Sequence, residues 1–169
     1  MTETKYSGIA SIGEIPAHWK IYRIKSLLSL RSEKNSGNRD LLSVYLDRGV
    51  ISYNDSDGMQ VHKPSADLSN YQNVHVGDFV LNNQQAWRGS VGVSKYDGIV
   101  SPAYYVCELN FPHKEFFNIA IRSKFYVPFF IQYSKGIRVG QWDLSPIGLK
   151  SIPFFEPPHE EQQAIVAYI

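Results

Sequence analysis

At 169 residues, with 43% hydrophobic and 20% charged content, the chain is sized for one soluble domain with a sizeable core. A formal net charge of +1 excludes a polycationic binder that works by neutralising many phosphates, but leaves room for a local basic surface. The single Cys107 excludes an internal disulfide and a cysteine-cluster zinc site, and its apolar setting, YYVCEL, marks a buried inert thiol.

The N-terminal MTETKYSGIASIGEI lacks the basic start and apolar core of a signal peptide. No apolar run approaches the roughly 20 residues that span a bilayer, so a cytoplasmic protein with no membrane partner is expected. Residues 1–13 are polar and small and read as a flexible lead-in. A domain then begins at 14. In IPAHWKIYRIKSLLSL, Pro16 fixes an extended entry, and Trp19, Ile21 and Ile24 can bury one side of a strand that passes into a short helix. Residues 31–40 form a charged loop containing Lys34. Two short strands follow, over 41–46 and 50–53, around the turn Asp47-Arg48-Gly49. Residues 54–58 are a second turn cluster, and 62–73 are loop with at most one helical turn.

The stretch from Phe79 to Tyr105 carries the densest information. It reads as an apolar strand, four successive amides (Asn82, Asn83, Gln84, Gln85), then Trp87-Arg88-Gly89. Two β-rich runs, 91–94 and 99–106, are expected to pair as a rigid hairpin through an Asp97-Gly98 turn. Beyond it, 112–123 is expected to be helical, with Phe116, Phe117, Ala120 and Ile121 on one face. A second helix over 124–133 contains Pro128, so it kinks or starts late, and Gly136 is expected to end it. The segment GIRVGQWDLS again sets Arg138, Gln141 and Trp142 among glycines. Residues 152–158 are extended, and HEEQQAIVAYI opens a helix with Glu160 and Glu161 in its first turn, where the helix dipole favours them. Many short strands with a few helices, and no strict alternation of the two, predict an α+β fold of twisted, mostly antiparallel β-sheet and hairpins.

Catalytic readings find little support. No Gly-rich cofactor loop accompanies Ser101-Pro102-Ala103-Tyr104, whose likeness to an amino-methyltransferase motif is superficial. The carboxylates are scattered through turns rather than clustered for a magnesium-dependent nuclease. The five histidines (His18, His62, His75, His113, His159) lack ligand spacing. Gly89-Ser90-Val91-Gly92 lacks the Lys-Ser/Thr end of a phosphate loop. Recognition is better served. Arg or Lys reads guanine bidentately and Asn or Gln reads adenine, and 82–88 supplies both classes within seven residues. Base or groove contacts are therefore expected from Gln84, Gln85, Trp87, Arg88, Arg138 and Gln141, and phosphate contacts from Lys34, Lys95, Arg122 and Lys135. Trp87 and Trp142 have stacking, wedging and plain packing all open to them. Asn82 can instead hold the loop, and Ser90, Tyr104 and Tyr105 can add contacts.

The run YQNVHVGDFVLNNQQAWRGSVGVSKYDGIVSPAYYV closely resembles target recognition domains of type I restriction–modification specificity subunits, with their W-x-G-S-x-G-V-S and G-I-V-S-P-A-Y segments. The start IGEIPAHWKIYRIKSLL and the end GIRVGQWDLSPIGLKSIPFFEPPHEEQQAIVAYI resemble the same family. The resemblance implies a single target recognition domain over 14–157 and the start of a long spacer helix over 158–169, truncated here. It implies a non-catalytic reader of one half of a bipartite double-stranded DNA target. Adenine methyltransferase (modification) subunits and a restriction subunit would be its partners. This chain would need no cofactor of its own, whereas the partners would use S-adenosylmethionine, ATP and magnesium. Residues common to a family cannot encode a target that differs among its members, so Gly89, Gly92, Gly98, Ser101 and Pro102 are read as shaping the backbone. Gln84, Gln85 and Arg88 are read as facing bases. With so short a helix the chain is expected to be a monomer. Two other readings stay open: the recognition domain of a fused restriction–methylation enzyme, and a protein-docking module without DNA specificity.

Overall fold

The computed structural model describes residues 2–35, 37–56, 64, 66–138 and 141–169, with the backbone alone described at 56, 135–138, 141 and 142. The chain opens with β1 (Thr4–Tyr6) and β2 (Glu14–Pro16), an antiparallel pair. This hairpin corrects the expected flexible lead-in over 1–13. The reason is local: Gly8 and Gly13 adopt φ of 81° and 71°, and the Ser7 N–H donates to the Gly13 carbonyl at 2.8 Å, which closes the turn.

Strand β3 (Lys20–Arg23) leads through one 3-10 turn at Ile24–Ser26 into β4 (Leu28–Arg31). The expected pair at 41–53 forms as the hairpin β5 (Leu42–Tyr45) and β6 (Gly49–Ser52). Then come β7 (Gln72–Val74), β8 (Phe79–Leu81), a 3-10 turn at Ala86–Arg88, β9 (Val91–Val93), β10 (Gly98–Val100) and β11 (Tyr105–Leu109). The expected hairpin of 91–94 with 99–106 does not form. Instead β9 pairs with β8, β10 pairs with β7, and β11 pairs with both β8 and β4. Pro102 has no N–H to continue a ladder, so the 99–106 run splits into strands of two sheets. At Gly98 a Cβ would meet the Asp40 carbonyl at 2.5 Å, so the bare glycine lets the 40–42 segment lie against β10.

Helix α1 (Lys114–Ile121) is capped by the His113 ring, which accepts from the Phe116 N–H at 3.4 Å. Helix α2 (Val127–Tyr133) starts late, with Pro128 in its first turn. It also ends before the expected Gly136, which lies inside β12 (Ser134–Arg138). Ser134 is extended there, and its hydroxyl donates to the Phe130 carbonyl at 2.6 Å, satisfying a last-turn acceptor. After β13 (Gln141–Leu144) comes α3 (Pro146–Ser151), a short helix not anticipated from the sequence. It was nevertheless signalled: Ser145 caps the Gly148 N–H at 3.0 Å and Pro146 follows at the first helical position. Strand β14 (Pro153–Glu156) pairs back with β3, and α4 (His159–Tyr168) closes the chain. Among the described residues no helix is long and apolar enough to cross a membrane.

The fold is α+β with antiparallel pairing throughout its named sheets, as expected from the sequence. The central sheet runs in the order β4-β11-β8-β9. Strand alternation gives it two apolar faces. Phe79, Leu81, Val91, Cys107 and Leu109 join an aromatic core under the helices, while Val80 and Val106 join a smaller core with Leu42, Val44, Val50, Val74 and Val100. Fully buried Phe117 sits at the centre of the first core, 5.4 Å from Phe79 edge-on and 5.3 Å from Phe154 in a stack, centroid to centroid. Burial pushes the Cys107 thiol up to about 12, as befits an inert thiol.

Helix α4 is fixed to the domain by its first turn. Buried Gln162 donates to the Pro157 carbonyl at 2.8 Å, while Glu161 accepts from Trp19 Nε1 at 2.8 Å and pairs with His18. Ile165 and Val166 lean on the aromatic core, whereas Ile169 is exposed.

Truncating the central ring, Phe117→Ala, should lower the unfolding free energy by about 3–5 kcal/mol in denaturant titrations. A loss below about 1 kcal/mol would remove Phe117 from the centre of the core. The His18 and Trp19 hydrogen bonds hold the Glu161 carboxyl below its usual 4.5, so its contribution is present above that pH and is lost as pH falls through the lower folded value. The Trp19 Nε1–H resonance should therefore shift in acid below about pH 4.5, and the step should vanish in Glu161→Gln. A step unchanged in that variant would assign it to another group.

Candidate nucleic-acid interface

The loop between β8 and β9 is clamped at its base. Leu81 and Val91 are cross-strand partners, and the Asn82 N–H donates to the Ser90 carbonyl at 3.1 Å. Inside the clamp the backbone bonds to itself: Gln85 N–H to the Asn82 carbonyl at 2.9 Å, Arg88 N–H to the Gln85 carbonyl at 2.9 Å, and Gly89 N–H to the Ala86 carbonyl at 2.8 Å. Gly89 closes the turn with φ of 98°, a left-handed conformation that side chains disfavour.

The six candidate side chains of this loop divide into two groups. Asn82, Asn83 and Trp87 build it. The Asn82 amide oxygen accepts from the Gln84 N–H at 3.2 Å, and Trp87 Nε1 donates to the Gln84 carbonyl at 3.0 Å. Buried Asn83 donates to the Asp143 carboxylate at 2.6 Å, and its carbonyl accepts from the Leu144 N–H at 3.0 Å. Gln84, Gln85 and Arg88 have no such structural duty: no hydrogen bond of the Gln84 or Gln85 side chain is found among the described residues. Gln84 and Arg88 are exposed, with the guanidinium 5.6 Å from the centre of the Trp87 ring.

These three side chains share a cleft. Gln84, Gln85 and Arg88 line a concavity of about 550 Å³ together with Tyr45 of β5 and Tyr53, the residue that follows β6. Tyr71 and Tyr104 complete the aromatic lining. Burial raises the Tyr104 phenol, the nearby Tyr45 and Tyr71 phenols add to the rise, and the Asn82 amide opposes it. The Tyr45 hydroxyl is buried without a hydrogen-bond partner.

The second recognition segment, with Arg138 and Gln141, lies in the β12–β13 hairpin. The two bonds of Asn83 to Asp143 and Leu144 join β13 to the amide loop, so the backbones of both segments meet at this end of the fold. The side chains of Lys135, Arg138, Gln141 and Trp142 lie outside the described residues. Lys34 and Lys95 are exposed on loops and do not line the cleft. Arg122 is half-buried and packs on the β5–β6 turn, where a Cβ at Gly49 would come within 3.3 Å of its guanidinium. Burial lowers its pKa, opposed by Asp47, and its Nε has no hydrogen-bond partner. Tyr45, Tyr53 and Tyr71 were not singled out in the sequence. Their only signal there was the count of 11 tyrosines, which does not say which of them meet. Among the described residues no group of three His, Cys, Asp or Glu side chains is arranged to hold a metal.

No family model matches the sequence, and no curated protein matches it. Solved structures do share its fold. The HsdS subunit from Thermoanaerobacter tengcongensis has a TM-score of 0.62 at 19% identity, over 91% of this chain and 42% of that one. A chain from a structure on complex assembly and conformational transition of the type I R-M system gives the same 0.62, 19%, 91% and 42%. The type I restriction–modification S subunit from M. genitalium has a TM-score of 0.57 at 16% identity, over 89% of this chain and 37% of that one. The chain thus spans about two-fifths of the length of these structures, and the likeness is one of fold.

Asn83→Ala should destabilise the protein by about 1–2 kcal/mol, and a double-mutant cycle with Asp143→Ala should show positive coupling, because a buried amide loses a charged acceptor. Gln84→Ala should change stability by no more than about 0.5 kcal/mol. Equal losses at 83 and 84 in thermal melts would contradict the division between building and projecting side chains.

Proposed function

We propose that this chain is a sequence-specific double-stranded DNA reader that recognises one half of a bipartite target within a type I restriction–modification assembly. The observation that carries the reading is the loop at 82–90. Asn82, Asn83 and Trp87 fix its shape, so that Gln84, Gln85 and Arg88 project from a rigid base on a fold shared with S subunits. Amides and a guanidinium are the side chains that make bidentate contacts to adenine and guanine in the major groove. A turn needs none of these long polar groups for its own stability.

In this reading the chain catalyses nothing and holds no cofactor. Adenine methyltransferase subunits bind it through the helix that begins with α4, and a restriction subunit joins that complex. S-adenosylmethionine, ATP and magnesium serve those partners. Arg138 and Gln141 add base contacts from the neighbouring hairpin, while Lys34, Lys95 and Lys135 meet phosphates. Arg122, packed on the β5–β6 turn, is a weaker phosphate contact and a stronger support of that hairpin.

Selection from a random duplex library by this chain mixed with a methyltransferase subunit should enrich one short motif. Gln84→Ala and Arg88→Ala should each relax one position of it, at about 1–3 kcal/mol of lost discrimination per base. Lys95→Ala should instead weaken binding evenly across sequences and flatten its salt dependence. No enrichment from a complex that demonstrably assembles would overturn the proposal.

A further inference from the structure

A duplex is read by exposed side chains entering the major groove, and Gln84 and Arg88 are exposed. The concavity of about 550 Å³ that they also line is a different feature, because a base held in the stack cannot enter it. Its composition is nevertheless specific. The walls carry Tyr45, Tyr53, Tyr71 and Tyr104 beside the hydroxyl of Ser43 and the amide of Asn82. Among its described lining residues the one charged group is Arg88, exposed at the rim. Among the described lining residues a cation would find no carboxylate, and a polyanion would find one guanidinium at the edge. A flat, uncharged ring with donors and acceptors on its margin fits these walls.

The floor of the cleft is also a built one. Leu42 and Val44 belong to the second core, against which Tyr104 packs, and Asn82, Tyr45 and Tyr71 line the same cleft. The Tyr45 hydroxyl is buried with no partner. A buried hydroxyl left unpaired lowers stability, and such groups are rare in folded proteins, so its retention calls for a reason. A ligand that arrives with its own hydrogen-bonding edge supplies one.

We propose that the cleft between the 82–90 loop and the β5–β6 hairpin is a nucleobase site, and that its occupant is a single base unstacked from the bound DNA. The tyrosine rings stack on the base, Tyr45 and Asn82 meet its edge, and Arg88 stands at the mouth beside the attached phosphate. Extrusion of a base into a protein pocket uses this combination of aromatic stacking and edge contacts. The inference rests on the DNA-reading proposal for the source of the base. The chemistry of the site does not, since a free nucleotide offers the same ring.

Fluorescence anisotropy with the full chain tests it, using a short matched duplex, the same duplex with one central mismatch, and the common nucleoside monophosphates as competitors. An unpaired base is released from the stack more easily, so the mismatched duplex should bind about ten-fold tighter or more. Tyr45→Phe should bring that preference down to about two-fold while leaving the melting temperature of the free protein unchanged or higher, a pairing of effects that a purely structural tyrosine would not show. Tyr104→Ala, which removes a ring, should abolish the preference. Equal affinity for both duplexes, or a preference untouched in both variants, overturns the nucleobase cleft and leaves the DNA-reading proposal standing. Binding of nucleotides but of neither duplex keeps the cleft chemistry and overturns DNA as its source, together with the proposed function. Binding of none of the probes overturns both.

Discussion

Strand β8 is three residues long, yet it is hydrogen-bonded on both sides and buried on both faces. Phe79 and Leu81 enter the aromatic core, and Val80 enters the smaller valine-rich one; all three are fully buried. A slip of one residue would exchange these side chains between cores of different size, so the register is strongly specified. The amide loop leaves from Leu81 and returns at Val91, its cross-strand partner, so both its ends inherit that register. A reading surface needs side chains held to a fraction of an ångström on rigid elements. Two-sided burial of β8 provides that rigidity, and the loop itself needs no disulfide, metal or long helix to keep its place.

The same economy extends along the loop. Successive amides in one segment do unlike work: Asn82 and Asn83 hydrogen-bond backbone and carboxylate, Gln84 is exposed, and Gln85 is half-buried on the cleft wall. Asn83 also reaches β13, which ties the β12–β13 hairpin to the amide loop. Trp87 gives its Nε1–H to the Gln84 carbonyl and its ring lies beside Arg88, so it supports the loop. An arginine resting on an indole loses less freedom on binding than one waving in solvent. Trp87 thus braces its neighbours in the loop.

What the sequence disclosed follows from the range over which each signal acts. Hairpin β5–β6, the late start of α2 at Pro128 and the opening of α4 are set by residues within one turn of themselves, and they were legible. The pairing of β9 and β10 was not. Asp97-Gly98 resembles a hairpin turn, but the glycine serves a close approach by the Asp40 carbonyl, which no local pattern announces. The lead-in was misread because its two left-handed glycines resemble disorder until they are seen to close a turn. The site divided in the same way. Gln84, Gln85 and Arg88, which line one cleft, could be singled out because amides next to an arginine stand within one short segment. Tyr45 and Tyr53 could not, because their meeting with that segment in one cleft is a long-range contact that no local pattern announces.

Charge sets the terms on which such a surface can work. At a net +1 the chain has little generic attraction for a polyanion, and the cleft adds none, its described lining being uncharged apart from Arg88. Non-specific DNA affinity is almost wholly electrostatic, whereas discrimination comes from base contacts. A reader poor in phosphate contacts therefore loses more of its non-specific binding than of its specific binding, and the ratio between them rises. The same poverty leaves a half-site with modest affinity, which a second half-site in one assembly restores through effective concentration. In the DNA-reading proposal, a near-neutral domain that reads mostly through amides and few guanidinium groups is thus physically suited to a bipartite target.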